Sequence, residues 1–198
     1  MRRPVLLLAS VFFGSLAAPA PTEAMFVDMC APVRSCVLRT ACIRPTWSWP
    51  RSSRYLASTY FDRNYPLDPK AAPPRQHLGV DLAAPADTGV PSPVDGCLVR
   101  VRANRDPAQA YIVIREYSTG YEHVLGHVTT TFRENRQVLR GEQVARVQSW
   151  PGNSHVHWGV NQESVEPRGD WGWGRAPVTA TRDQAASRGW IDPSLYAR

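Results

Sequence analysis

Apolar and polar positions alternate in short runs through the second half of the chain. Val90 to Cys97, Leu98 to Val101, Tyr111 to Ile114, Tyr121 to Val128, Val138 to Val147 and His155 to Val160 are the main runs. Asp95-Gly96, Thr119-Gly120 and Pro151-Gly152 punctuate them as turn signals. Short strands at regular spacing with turns between them predict an antiparallel all-β domain. No stretch shows sustained helical periodicity, and only Thr181 to Arg188 suits a short helix. Residues 25–54 read as an N-terminal extension, and 43–76, rich in Pro, Arg, Ser and aromatics, as irregular structure. The tail from Asn161 reads as loop. Its Trp171, Trp173 and Trp190 are expected to pack on the domain surface rather than to line a groove.

The N-terminus changes the picture. Arg2 and Arg3 precede an apolar run from Val5 to Ala18, and Thr22-Glu23-Ala24 matches the small-x-small rule for signal peptidase. Residues 1–24 therefore read as a secretory signal, with cleavage after Ala24 preferred over Ala20. The run is too short to span a membrane comfortably, so no stable insertion is expected after cleavage. Removing Arg2, Arg3 and Glu23 lowers the formal net charge from +6 to +5. Nearly all of the positive charge is arginine, with Lys70 the only lysine. A basic surface suits nucleic acid, anionic lipid or an acidic wall polymer. No block of consecutive basic residues and no nucleic-acid-binding motif is present, so nucleic acid is not the expected partner. Cys30, Cys36, Cys42 and Cys97 form an even set that an oxidising compartment would pair as two disulfides, with three pairings open. No Cys-x-x-Cys pair supports a cysteine metal site.

All five histidines fall inside the predicted β region: His77, His123, His127, His155 and His157. His77 and Asp81 are four apart, His123 and His127 four apart, His155 and His157 two apart. On a strand, even spacing puts side chains on one face. A catalytic zinc takes three protein ligands and keeps one position for water, and imidazole and carboxylate are suitable donors. His77, Asp81 and one of His155 and His157 supply three. The other histidine of the pair would stand beside the ion as acid, base or oxyanion donor. Spacing alone does not choose between the two.

The segment from His77 to Val160 resembles the lysostaphin-type zinc endopeptidases, the LytM-domain family. His77-Leu-Gly-Val-Asp81 resembles that family's H-x-G-x-D motif, and His155-Val-His157-Trp its H-x-H motif. Gly89-Val90-Pro91 through Asp95-Gly96 and Asp192-Pro193 through Tyr196 resemble flanking family signatures. The resemblance implies an all-β, mainly antiparallel LytM-like fold over residues 55–198, with its motif core at 77–160. It implies one Zn2+ ion held by His77, Asp81 and His157, and a catalytic role for His155. The family's second catalytic histidine falls on His127 in Gly120-Tyr-Glu-His-Val-Leu-Gly-His127, and on His123 in a rival alignment. Leu125 replaces the usual aromatic there, and Ser149 to Ser154 replaces a glycine-rich run. The implied activity is hydrolysis of peptide bonds in peptidoglycan cross-links by an exported, periplasmic or secreted monomer. The alternative is a catalytically inactive LytM-like regulator that binds cell wall.

Overall fold

The computed structural model describes residues 56–58, 60, 75–165 and 171–195. The signal segment, the N-terminal extension, Cys30, Cys36, Cys42 and residues 64–74 lie outside them. In chain order the strands are β1 (Leu56–Ser58), β2 (Arg75–His77), β3 (Val80–Ala83), β4 (Gly89–Pro91) and β5 (Gly96–Arg102). They continue with β6 (Tyr111–Glu116), β7 (Glu122–Gly126), β8 (Val128–Thr129), β9 (Arg136–Val138) and β10 (Gln143–Val147). The last are β11 (His155–Asn161), β12 (Arg175–Pro177) and β13 (Trp190–Ile191), with helix α1 (Arg182–Ala186) between these two. The all-β expectation holds.

Local chemistry decides where the predicted runs break. Val90 to Cys97 divides into β4 and the start of β5 at Ser92-Pro93, because proline brings no N–H to a ladder. Val138 to Val147 divides at a turn where Gly141 takes a left-handed φ of 85°. Thr181 caps α1 through the Gln184 N–H, and the Gln184 side chain returns to the Thr181 N–H. The stretch 43–76 is less irregular than its composition predicts: β1 pairs with β3, and β2 pairs with β12 of the tail. Backbone pairing to a strand elsewhere in the chain needs no local pattern.

The main sheet runs β1-β3-β11-β7-β6-β5-β9, with β13 added to β11. A second sheet of three strands runs β4-β10-β8. All recorded pairings of the main sheet are antiparallel, so residues opposite each other share a face. One face carries Val80, Leu82, Ile112, Ile114, Leu125, Val156, Trp158 and Val160. These are buried in one core with Val90, Val128, Val144 and Val147 of the small sheet. The other face carries Asp81, Tyr111, Gly126, His155 and His157 in its centre. β2, β12 and the turn before β12 lie over this second face.

Candidate metal centre

The second face gathers the candidate ligands by register. His157 of β11 pairs with Asp81 of β3 on one side and Gly126 of β7 on the other. His77 ends β2, and the bend at Leu78-Gly79 brings it back over Asp81. His77 Nε2 and His157 Nδ1 lie 2.9 Å apart. Asp81 Oδ1 is 3.1 Å from each of them. All three side chains are buried. Three lone-pair donors buried together are costly unless a proton or a cation joins them. Ligands about 2.0–2.1 Å from a tetrahedral zinc stand about 3.4 Å apart. Both the spacing and the donor set fit such an ion, and these three residues form the group able to hold a metal among the described residues.

Their protonation states fit as well. Burial pushes the His157 imidazole down to about 4, against the opposing pull of Asp81. Burial alone would raise Asp81, but the charge and hydrogen bonding of His77 and His157 hold its carboxyl well below the usual range. The site therefore presents a neutral imidazole and an ionised carboxylate, the forms that bind metal.

Two more histidines converge on this cluster. His155 Nε2 lies 3.7 Å from Asp81 Oδ2, and its Nδ1–H donates to the Asn153 carbonyl at 2.6 Å. The His127 ring sits 4.4 Å from the His155 ring, centre to centre, and its Nδ1–H donates to the Pro107 carbonyl at 2.9 Å. Each ring thus turns Nε2 inward, and both Nε2 atoms are buried without a hydrogen-bond partner among the described residues. Burial, then the neighbouring His155, pushes His127 down to about 3.

His127 reaches the site by breaking the strand rule. It follows Gly126, so plain alternation would aim it at the core face. Its φ of 62° is left-handed, and the kink swings the ring back to the metal face. His123 obeys the rule: it sits opposite Val160 on the core face. There the Trp158 indole N–H donates to its Nδ1 at 3.3 Å, and Glu116 Oε2 lies 3.6 Å from Nε2. The even spacing of His123 and His127 therefore does not place them on one face.

Residues 75–167 match peptidase family M23. This segment is an M23 peptidase domain. Among solved structures, LytU is 17% identical, covers 77% of this chain and 90% of its own, and superposes with a TM-score of 0.51. The antimicrobial peptidase lysostaphin from Staphylococcus simulans is 16% identical, with 72% of this chain and 48% of its own covered, at a TM-score of 0.50. Both likenesses show the LytM-type fold. No curated protein matches the chain.

Around the M23 centre stand residues that sequence patterning did not place there. The Pro107 carbonyl that holds His127 belongs to a 3-10 turn capped by Asp106, whose Oδ1 accepts from the Ala108 N–H at 3.0 Å. Trp150 stacks on His155 and tilts against His127. Trp173, from the tail, contacts both His127 and His157 instead of packing away from the site. Trp190 is buried and meets the surface expectation no better. Beside His155 a groove of about 490 Å³ opens between Ala83–Ala86 and Gly152–Ser154, lined by no charged side chain. Among the described residues no helix is long and apolar enough to cross a membrane.

Proposed function

We propose that the chain is an exported zinc metalloendopeptidase that hydrolyses peptide bonds in peptidoglycan cross-links. The observation that carries this reading is the convergence of His77 Nε2, Asp81 Oδ1 and His157 Nδ1 within 3.1 Å, beside the inward Nε2 atoms of His127 and His155. A metal cluster flanked by two open imidazole nitrogens is the minimum equipment for adding water across an amide. When bound, a zinc ion supplies Lewis acidity, polarising the scissile carbonyl and lowering the pKa of water to about 7.

The chain's own residues do the rest. With Nδ1–H tied to the Asn153 carbonyl, His155 offers a lone pair at Nε2. That nitrogen takes the proton of the attacking water and returns it to the leaving amine as the C–N bond breaks. His127 Nε2 is held inward in the same way by Pro107, as a second lone pair that can accept a hydrogen bond from the attacking water and align it. The buried setting and the walls of Trp150 and Trp173 keep bulk water away from both rings.

Membership of a peptidase family supports the reaction class. The signal-like segment at 1–24 and the net charge of +6 suit an anionic envelope outside the membrane. The test is zinc content of the purified chain together with mass spectrometry of peptidoglycan fragments after digestion. One zinc per chain and fragments with new amino termini are expected. Zinc-free protein that binds wall material and cuts nothing would establish the inactive-regulator reading instead.

A further inference from the structure

Metal-binding histidines are normally oriented by a hydrogen bond from the second ring nitrogen to a carboxylate, carbonyl or water. His157 departs from this. Its Nδ1 faces Asp81 and His77, while its Nε2 is buried with no hydrogen-bond partner among the described residues. What surrounds that side of the ring is packing. A Cβ on Gly79 would lie 2.5 Å from His157 Cε1 and 2.8 Å from Nε2. A Cβ on Gly174, where φ is 111°, would lie 3.4 Å from the same two atoms. Between these backbones the Trp173 ring meets the imidazole in a T-shaped contact, 5.6 Å between centres.

Trp173 is itself held firmly. Gly126 has no side chain, and a Cβ there would collide with the indole. The buried Tyr111 ring lies 5.2 Å away on the same sheet face. The turn that presents Trp173 is pinned at both ends: Leu78 N–H donates to the Gly174 carbonyl at 3.0 Å, and Trp171 N–H to the Arg175 carbonyl at 3.0 Å. The same indole makes a T-shaped contact with His127, 5.3 Å between centres. One side chain thus packs on a metal-site imidazole and on the inward-facing His127 imidazole together. It lies beyond the segment that matches the peptidase family.

We propose that Trp173 is a positioning residue of the metal centre, fixing the rings of His157 and His127 by packing where a hydrogen bond would otherwise do so. This rests on the metal-site reading above. Trp173 is not among the three residues able to hold the ion. Its effect passes through the two imidazoles, and Gly126 is the recess that lets it reach them.

The test uses the full chain and zinc itself. Zinc dissociation constants are measured by chelator competition for wild type, Trp173→Phe, Trp173→Ala and Gly126→Ala, with kcat and KM on purified peptidoglycan measured beside them. Loss of such outer partners weakens metal affinity by about 10–100-fold. Trp173→Ala is expected to weaken zinc by at least about tenfold and to lower kcat more than KM. Trp173→Phe recovers most of both. Gly126→Ala, which displaces the indole without deleting it, resembles Trp173→Ala. Should Trp173→Ala not fold, Gly126→Ala carries the same prediction. Zinc affinity within twofold of wild type in Trp173→Ala, or in Gly126→Ala if that is the variant that folds, overturns the positioning role and leaves the metal site standing. A wild-type chain that takes up no zinc overturns both.

Discussion

Two fully buried histidines on adjacent strands of one sheet have opposite fates. His157 on β11 faces one side, His123 on β7 the other. His123 accepts an indole N–H on Nδ1 and has a carboxylate oxygen 3.6 Å from Nε2. His157 lies against two further electron-pair donors, with a carboxylate oxygen at 3.1 Å and another imidazole nitrogen at 2.9 Å. Burial is the same in both, so burial does not mark the functional residue. The difference is in the company. A donor next to an acceptor completes a hydrogen bond, whereas two imidazole nitrogens and a carboxylate oxygen within 3.1 Å of one another are a donor set that suits a cation.

The comparison breaks most visibly if ligands are removed. His157→Ala or Asp81→Ala is expected to abolish stoichiometric zinc and all measurable peptidoglycan hydrolysis, read by metal analysis and by release of amino termini. A variant that keeps its zinc would show that these residues do not hold the ion. Next in size are the open imidazoles. His127→Ala should retain zinc and lose roughly 10²–10⁴-fold in kcat, the usual contribution of general acid–base catalysis. Equal losses of zinc and kcat would instead make His127 a ligand.

The opposite face should answer in stability rather than chemistry. His123→Ala strands the Trp158 N–H and the partly buried Glu116, at a cost of about 1–3 kcal/mol in denaturant unfolding. Its zinc content and kcat per folded molecule should stay in the wild-type range. A large fall in kcat with stability intact would return His123 to the list of catalytic residues.

The smallest effect is in pH. Burial would raise Glu116, but hydrogen bonds from His123, Ser118 and Thr119 outweigh it and hold the carboxyl at about 2. A carboxyl whose folded pKa lies below its unfolded value stabilises the fold above the unfolded value of 4.5. That contribution drains away as pH falls from about 4.5 towards about 2. Glu116→Gln should flatten this part of the acid-unfolding curve. An unchanged curve would mean that Glu116 does not hold His123 in place.

The run of short strands and the grouping of His77, Asp81, His155 and His157 were legible because both rest on spacing along the chain, whereas the order of the strands in the sheets was not. Strand alternation puts residues two apart on one face, and β11 obeys it over its whole length. The choice of His157 over His155 came from family resemblance; in the ladder His157 stands opposite Asp81 and His155 opposite Ala83. What stayed hidden depends on breaks in alternation or on distant contacts. The left-handed φ at His127 follows a glycine and carries no periodic signature. Trp173 reaches the site because β12 pairs with β2 across nearly a hundred residues. The fit of its ring against Gly126 was visible only once β7 and the tail were placed together.

The most direct measurement is release of new amino termini from purified peptidoglycan by the zinc-loaded chain, wild type against His155→Ala. One zinc per chain is expected in both, with hydrolysis by the wild type and a fall of roughly 10²–10⁴-fold in the variant. Hydrolysis by His155→Ala at the wild-type rate would contradict it.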